Sequence, residues 1–312
     1  MTREQGFSVV ELLVSSAILC MVSGVVLTML HDSLGATPVL EEGTDLLQRA
    51  RVAADALAVE LRAAAHGTPQ GPLSRSFAVV EPRRPSDPPG SVSADVMTVR
   101  YVPPSGAAGR LAQPLAPGDA VVVLENTGCP VATTACGFVA NTTAAIFDGA
   151  GQMNVVHIDG IGPGVLSVAD ASGARTISYP AGTEIAELAQ VTFSFDGSTR
   201  QLRRAEGGGT FVVADNVNAL AFQYFAEGMT PLAASQLGDG PFLGAGQTAF
   251  DADLLRVAVV RATVRVESGQ DTMRGSDATV FARPGTATRR WTIPDVLQQI
   301  DVALRNRPGA GP

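Results

Sequence analysis

From Leu12 to Leu30 the chain carries no charged residue. With the preceding Phe7-Ser-Val-Val-Glu11, a helix over Phe7–Leu30 would reach about 36 Å at ~1.5 Å per residue, enough to cross a hydrocarbon layer of about 30 Å. So long an apolar run has no place in water, and it decides where the remainder goes. Arg3 precedes it, while Asp32, Glu41, Glu42 and Asp45 follow it. The positive-inside bias then predicts a cytoplasmic N-terminus and export of the bulk of the chain.

Three kinds of segment share this hydropathy. A secretory signal has a shorter apolar core with small residues at a cleavage site beyond it, for which Ser23-Gly24 and Leu34-Gly-Ala36 are the candidates. A plain signal anchor needs no acid in its first turn. Glu11 is the discordant residue, because a carboxylate at the membrane centre costs roughly 2.5–3.5 kcal/mol, and less where it can snorkel to the interface.

The run Gly6-Phe7-Ser8-Val9-Val10-Glu11-Leu12-Leu13-Val14 resembles the processing motif of type IV prepilins: Gly, then Phe, then Glu four residues later, opening an apolar helix. The resemblance implies cleavage after Gly6 by a prepilin peptidase and N-methylation of Phe7. It also implies that the helix waits in the bacterial inner membrane, with the body in the periplasm, and then packs in the core of a helical filament. There Glu11 would pair with the new Phe7 amine of an adjacent subunit, fixing axial register and neutralising a costly charge. Major pilins often carry a helix-bending proline late in the apolar run. Here the nearest is Pro38, outside it, which points to a minor subunit.

After Gly35-Ala-Thr-Pro38 a helical pattern resumes, with Leu47, Ala50, Ala54, Leu57 and Leu61 at intervals of three and four and Gly67 and Pro69 as stops. The segment Ala50–Ala65 is similar to the helix end of PilW-type minor pilins and of J-type minor pseudopilins. From Gly71 the pattern turns to strands, expected over Ser76–Glu81, Asp95–Val102, Asp119–Glu125, Val155–Asp159, Gln190–Asp196, Val217–Phe225 and Leu255–Glu267. Val191, Phe193 and Phe195 alternate with polar residues, as do Val260, Ala262, Val264 and Val266, the period of half-buried strands. Gln201–Val213 reads as a hairpin with a glycine tip. The order of Gly182–Phe195, Leu202-Arg-Arg204, Val217–Phe225 and Leu255–Val266 also resembles a PilW-type body. Residues 82–94 and 226–252 read as loops. Leu297, Ile300 and Leu304 suit a short helix, while Ile300, Val302 and Leu304 equally suit a final strand.

Little in the sequence points to chemistry. His31, His66 and His157 are scattered, and no nucleophile elbow or phosphate loop is present. Cys20 lies in the apolar run. Cys129 and Cys136 close a short, turn-rich segment that would form a disulfide once exported, the alternative being two separate buried thiols. Asp239, Asp251 and Asp253 could bind calcium, although solvated loop acids account for them as well. Tyr101, Tyr179, Tyr224 and Trp291 could form a sugar-stacking surface or belong to the core. The formal charge is −8 and every basic residue is arginine, so no nucleic-acid partner is expected. No metal, cofactor or enzymatic activity is expected.

The expected fold is α+β, a long N-terminal helix packed on a β-rich, antiparallel domain. Residues 1–6 form the leader, 7–30 the membrane and filament-core helix, and 31–66 its periplasmic continuation. Residues 67–305 form the globular domain and 306–312 a tail. The expected role is a structural minor pilin near a filament tip. Its partners would be other minor pilins, the major pilin, prepilin peptidase and the inner-membrane assembly platform. A minor pseudopilin of type II secretion, and an exported binding module or enzyme on a plain anchor, are the alternatives.

Overall fold

The computed structural model describes residues 8–64, 78–103, 107–125, 135–147, 153–170, 175–243, 249–275 and 292–304, without the side chains of 31–36. It is an α+β protein, with one long helix and antiparallel sheets. Helix α1 runs unbroken over Val9–Ala63 and carries Pro38 inside it. Proline removes one backbone donor and its ring crowds the preceding turn, yet the helix continues through Pro38.

The strands follow in chain order: β1 (Val80–Glu81), β2 (Val96–Tyr101), β3 (Ala108–Arg110), β4 (Val121–Val123), β5 (Thr142–Phe147), β6 (Met153–Gly162), β7 (Val165–Asp170) and β8 (Glu184–Glu187). Next come β9 (Ala189–Asp196), β10 (Gln201–Glu206), β11 (Gly209–Asp215), β12 (Val217–Ala226) and β13 (Thr230–Leu232). The last are β14 (Phe242–Leu243), β15 (Phe250–Asp251), β16 (Val259–Val266), β17 (Arg274–Gly275), β18 (Ile293–Pro294) and β19 (Val296–Ala303).

Two compact units can be separated. The smaller holds residues 1–48 and 268–295. In it Glu42 of the helix accepts hydrogen bonds from Gly269 N at 2.6 Å and Ser268 Oγ at 3.1 Å, and β17 pairs in parallel with β18.

The larger unit holds residues 49–267 and 296–312. Its helical segment buries Ala50, Ala53, Leu57, Leu61 and Ala64, one stripe at helical spacing. In the helical segment of the smaller unit, Leu47, expected at the same spacing, is 59% exposed, while Leu46 is buried.

One sheet of the larger unit has the order β1-β2-β9-β10-β11 and another β13-β12-β16-β19. The hairpin β10–β11 turns at Gly207 and Gly208, both at positive φ, the mirror-image turn that suits strand twist. Along β16, Val260, Ala262, Val264 and Val266 are buried in alternation. The C-terminal segment is a strand, not a helix: β19 pairs with all of β16, from Val296↔Val266 to Ala303↔Val259. Leu255 and Arg256, expected within that strand, lie in a 3-10 turn over Ala252–Arg256.

The described residues that lie in sequence between β2 and β9 form a module, while β2 and β9 pair directly with each other. Its six strands run in the order β3-β8-β5-β6-β7-β4. The two outer strands meet through the Leu111↔Leu124 bridge and the bonds Glu125 N→Arg110 O (2.8 Å) and Ala112 N→Val123 O (2.7 Å). The sheet thereby closes into a barrel, whose interior is filled by Leu111, Val122, Ile146, Val156, Ile158, Leu166, Tyr179 and Ile185, among others.

Candidate functional site

The first described turn of α1 holds the one acid of the apolar run. Ser8 Oγ accepts from Glu11 N at 3.2 Å, and Glu11 Oε2 accepts from Ser8 N at 3.0 Å. These reciprocal bonds are a capping box, satisfying two backbone donors that a helix start leaves without partners. The S-x-x-E spacing that signals it is present in the sequence as Ser8-Val-Val-Glu11, so Ser8 joins Glu11 as a residue of this helix end. Gly6 and Phe7 lie outside the described residues.

Beyond the box, Val9–Leu30 has a mean hydropathy of 2.3 and none of it is buried by the rest of the chain. Consecutive residues such as Leu12, Leu13 and Val14, and Val25, Val26 and Leu27, are more than half exposed. The exposure runs around the whole circumference and is not confined to a stripe. A single membrane-spanning helix can account for it, as can a bundle of such helices. The polar side chains in the run are satisfied locally: Ser16 Oγ donates to Leu12 O at 2.6 Å and Thr28 Oγ1 to Val25 O at 2.8 Å. Cys20 is a free, exposed thiol.

The other residues singled out in the sequence do not converge on this helix end. Cys136 is disulfide-bonded and buried in the barrel core, while Cys129 lies outside the described residues. Tyr179 is in the barrel interior, with its hydroxyl donating to Asn154 Oδ1 at 2.8 Å. Tyr224 is buried, and both burial and the nearby Glu81 carboxylate drive its hydroxyl pKa upward. Burial, then the adjacent Glu60 carboxylate, push the Tyr101 phenol from 10.0 up to about 12. Tyr179 and Tyr224 are thus core residues and offer no sugar platform; Trp291 lies outside the described residues. Of the histidines, His157 sits on the surface 3.8 Å from Asp159.

The structure does bring Asp239, Asp251 and Asp253 together, with one carboxylate oxygen of each within 4.8 Å of the others. Asp251 is 1% exposed and accepts from Gly240 N and Asp253 N at 2.6 and 2.8 Å, and Asp253 pairs with Arg256 at 3.0 Å. Two of the three are therefore engaged in holding their own loops. A groove of about 510 Å³ is lined by Phe222, Tyr224, Leu232, Leu237 and Arg261, among others. Its arginine is held by Asp301 through two bonds of 2.7 Å and stacks 5.0 Å over Phe225.

Comparison with known proteins finds no matching family model and no curated protein of significant similarity.

Proposed function

We propose that the chain is a type IV pilin-like structural subunit, a minor pilin inserted by its N-terminal helix into a bacterial pilus. The supporting observation is the pairing of a helix apolar on every side over Val9–Leu30 with a carboxylate, Glu11, at its head. In a lipid anchor that acid serves only as a helix cap, a task that a neutral Gln performs as well. A helix that packs in register beside identical or related helices can also use its charge, because a buried carboxylate then gains a cationic partner. On this reading the leader is cut after Gly6, Phe7 is N-methylated, and Glu11 meets the amine of a neighbouring subunit. The body, which carries an inserted barrel, is bulky for a tightly packed shaft and suits a filament tip.

Before assembly the subunit would sit in the inner membrane with its body in the periplasm. Its partners would be other minor pilins, the major pilin, prepilin peptidase and the assembly platform. The same architecture in a secretion pseudopilus differs only in those partners. The role is structural, without catalysis.

The test is the mass of the mature N-terminus, taken from membrane and sheared-fibre fractions of the native host. A chain beginning at N-methyl-Phe7 is expected. A chain that keeps Met1, or begins beyond Leu30, would leave a plain anchor or a secretory signal and overturn the proposal.

A further inference from the structure

Glu11 is asked to do two things. Its own helix uses the carboxylate as a cap, and the filament would use it as the partner of an incoming amine. The geometry shows how both can hold at once. The bond to Ser8 N engages Oε2, and among the described residues Oε1 has no hydrogen-bond partner. Ser8 in turn fixes the acid's backbone by accepting from Glu11 N. Without that second bond the Glu11 side chain could leave the helix axis and seek the interface, as long charged side chains do.

We infer that Ser8 is a positioning residue for Glu11: the capping box holds one carboxylate oxygen against the helix end and presents the other to the N-terminal amine of a neighbouring subunit. The inference rests on the prepilin reading. It adds that the acceptor is preorganised in each subunit before any neighbour arrives, so assembly need not order it.

Substitutions at Ser8 should therefore follow their strength as helix caps, not their size or their compatibility with lipid. Amounts in sheared fibres, normalised to the membrane pool, are compared for wild type, Ser8→Asn, Ser8→Thr and Ser8→Ala. Asn is expected to match wild type, Thr to fall slightly, and Ala to fall about fivefold, the ratio for roughly 1 kcal/mol of lost capping. In a Glu11→Gln background, Ser8→Ala should lower incorporation no further, because no charge remains to be positioned. Equal incorporation of Ser8→Ala and wild type would overturn the inference, as would a Ser8→Asn defect as deep as that of Ser8→Ala. A further fivefold loss in the Glu11→Gln background would overturn it too, by showing that the two residues act independently. Mass spectrometry of the membrane pool keeps the two readings apart. If the wild-type chain does not begin at Phe7, the pilin proposal fails on that result alone, whatever the Ser8 series shows.

Discussion

Arg204 of β10 holds Glu60 of the helix, NH2 to Oε1 at 2.7 Å, and its other terminal nitrogen reaches Glu206 at 2.6 Å. Glu60 is 8% exposed, so this ion pair is largely withdrawn from water. It ties the polar edge of the helix to the face of the five-stranded sheet, beside the buried stripe of Leu57 and Leu61.

Breaking that pair from either side should destabilise the body. Arg204→Ala strands Glu60 without its cation and should cost about 2–3 kcal/mol, while Glu60→Gln, which keeps a hydrogen-bond acceptor, should cost less. Urea unfolding of the full chain in detergent measures both. Equal losses for the two variants would mean that the charge contributes nothing.

Tyr101 makes stability depend on alkaline pH. Its folded pKa, about 12, lies above the ordinary 10.0, so the fold favours the neutral phenol. That contribution is complete below pH 10 and declines as pH rises through 10 toward 12. Tyr101→Phe should flatten this part of the stability profile, read from denaturation midpoints across the range. An unchanged slope would show that the fold does not raise the Tyr101 pKa.

The helix should tolerate truncation on one side only. Leu57 is fully buried, and Leu57→Ala should cost about 2–5 kcal/mol, as cavities in packed cores do. Leu47, more than half exposed, should lose at most about 0.5 kcal/mol on the same change. Thermal unfolding of the two variants side by side gives the comparison.

Cys136 is disulfide-bonded, and Cys129 is the partner we propose for it. Non-reducing peptide mapping should recover these two cysteines in one cross-linked fragment. Reduction should lower stability by about 2.5 kcal/mol, the chain-entropy value for so short a loop. Recovery of Cys129 as a free thiol would refute the pairing.

What the sequence made legible was whatever is written in local periodicity. The apolar run, the buried alternation of β16 and the β10–β11 hairpin each follow from neighbours a few residues apart. The capping box was equally local, an S-x-x-E pattern at Ser8 and Glu11. The barrel was not legible. Strand β8, Glu-Ile-Ala-Glu, is short and carries small and charged residues of weak strand preference, and β5, Thr-Thr-Ala-Ala-Ile-Phe, lacks the alternation of a half-buried strand. What makes them strands is pairing with partners far along the chain, such as Ala145 with Ala186. The C-terminal ambiguity had the same origin: Val296–Ala303 carries no decisive period, and the open edge of β16 settles it as a strand.

The placement of the barrel between paired strands has a consequence for how the molecule comes together in time. Tyr101 and Ala189 are partners in the five-stranded sheet, yet residues 102–188 separate them. Bringing such distant ends together in an open coil carries a heavy loop-closure penalty and slows folding. A barrel that closes on itself first converts that long excursion into a clasp, leaving β2 and β9 side by side. As the chain emerges, the inserted module would thus act as the internal scaffold on which the body is built.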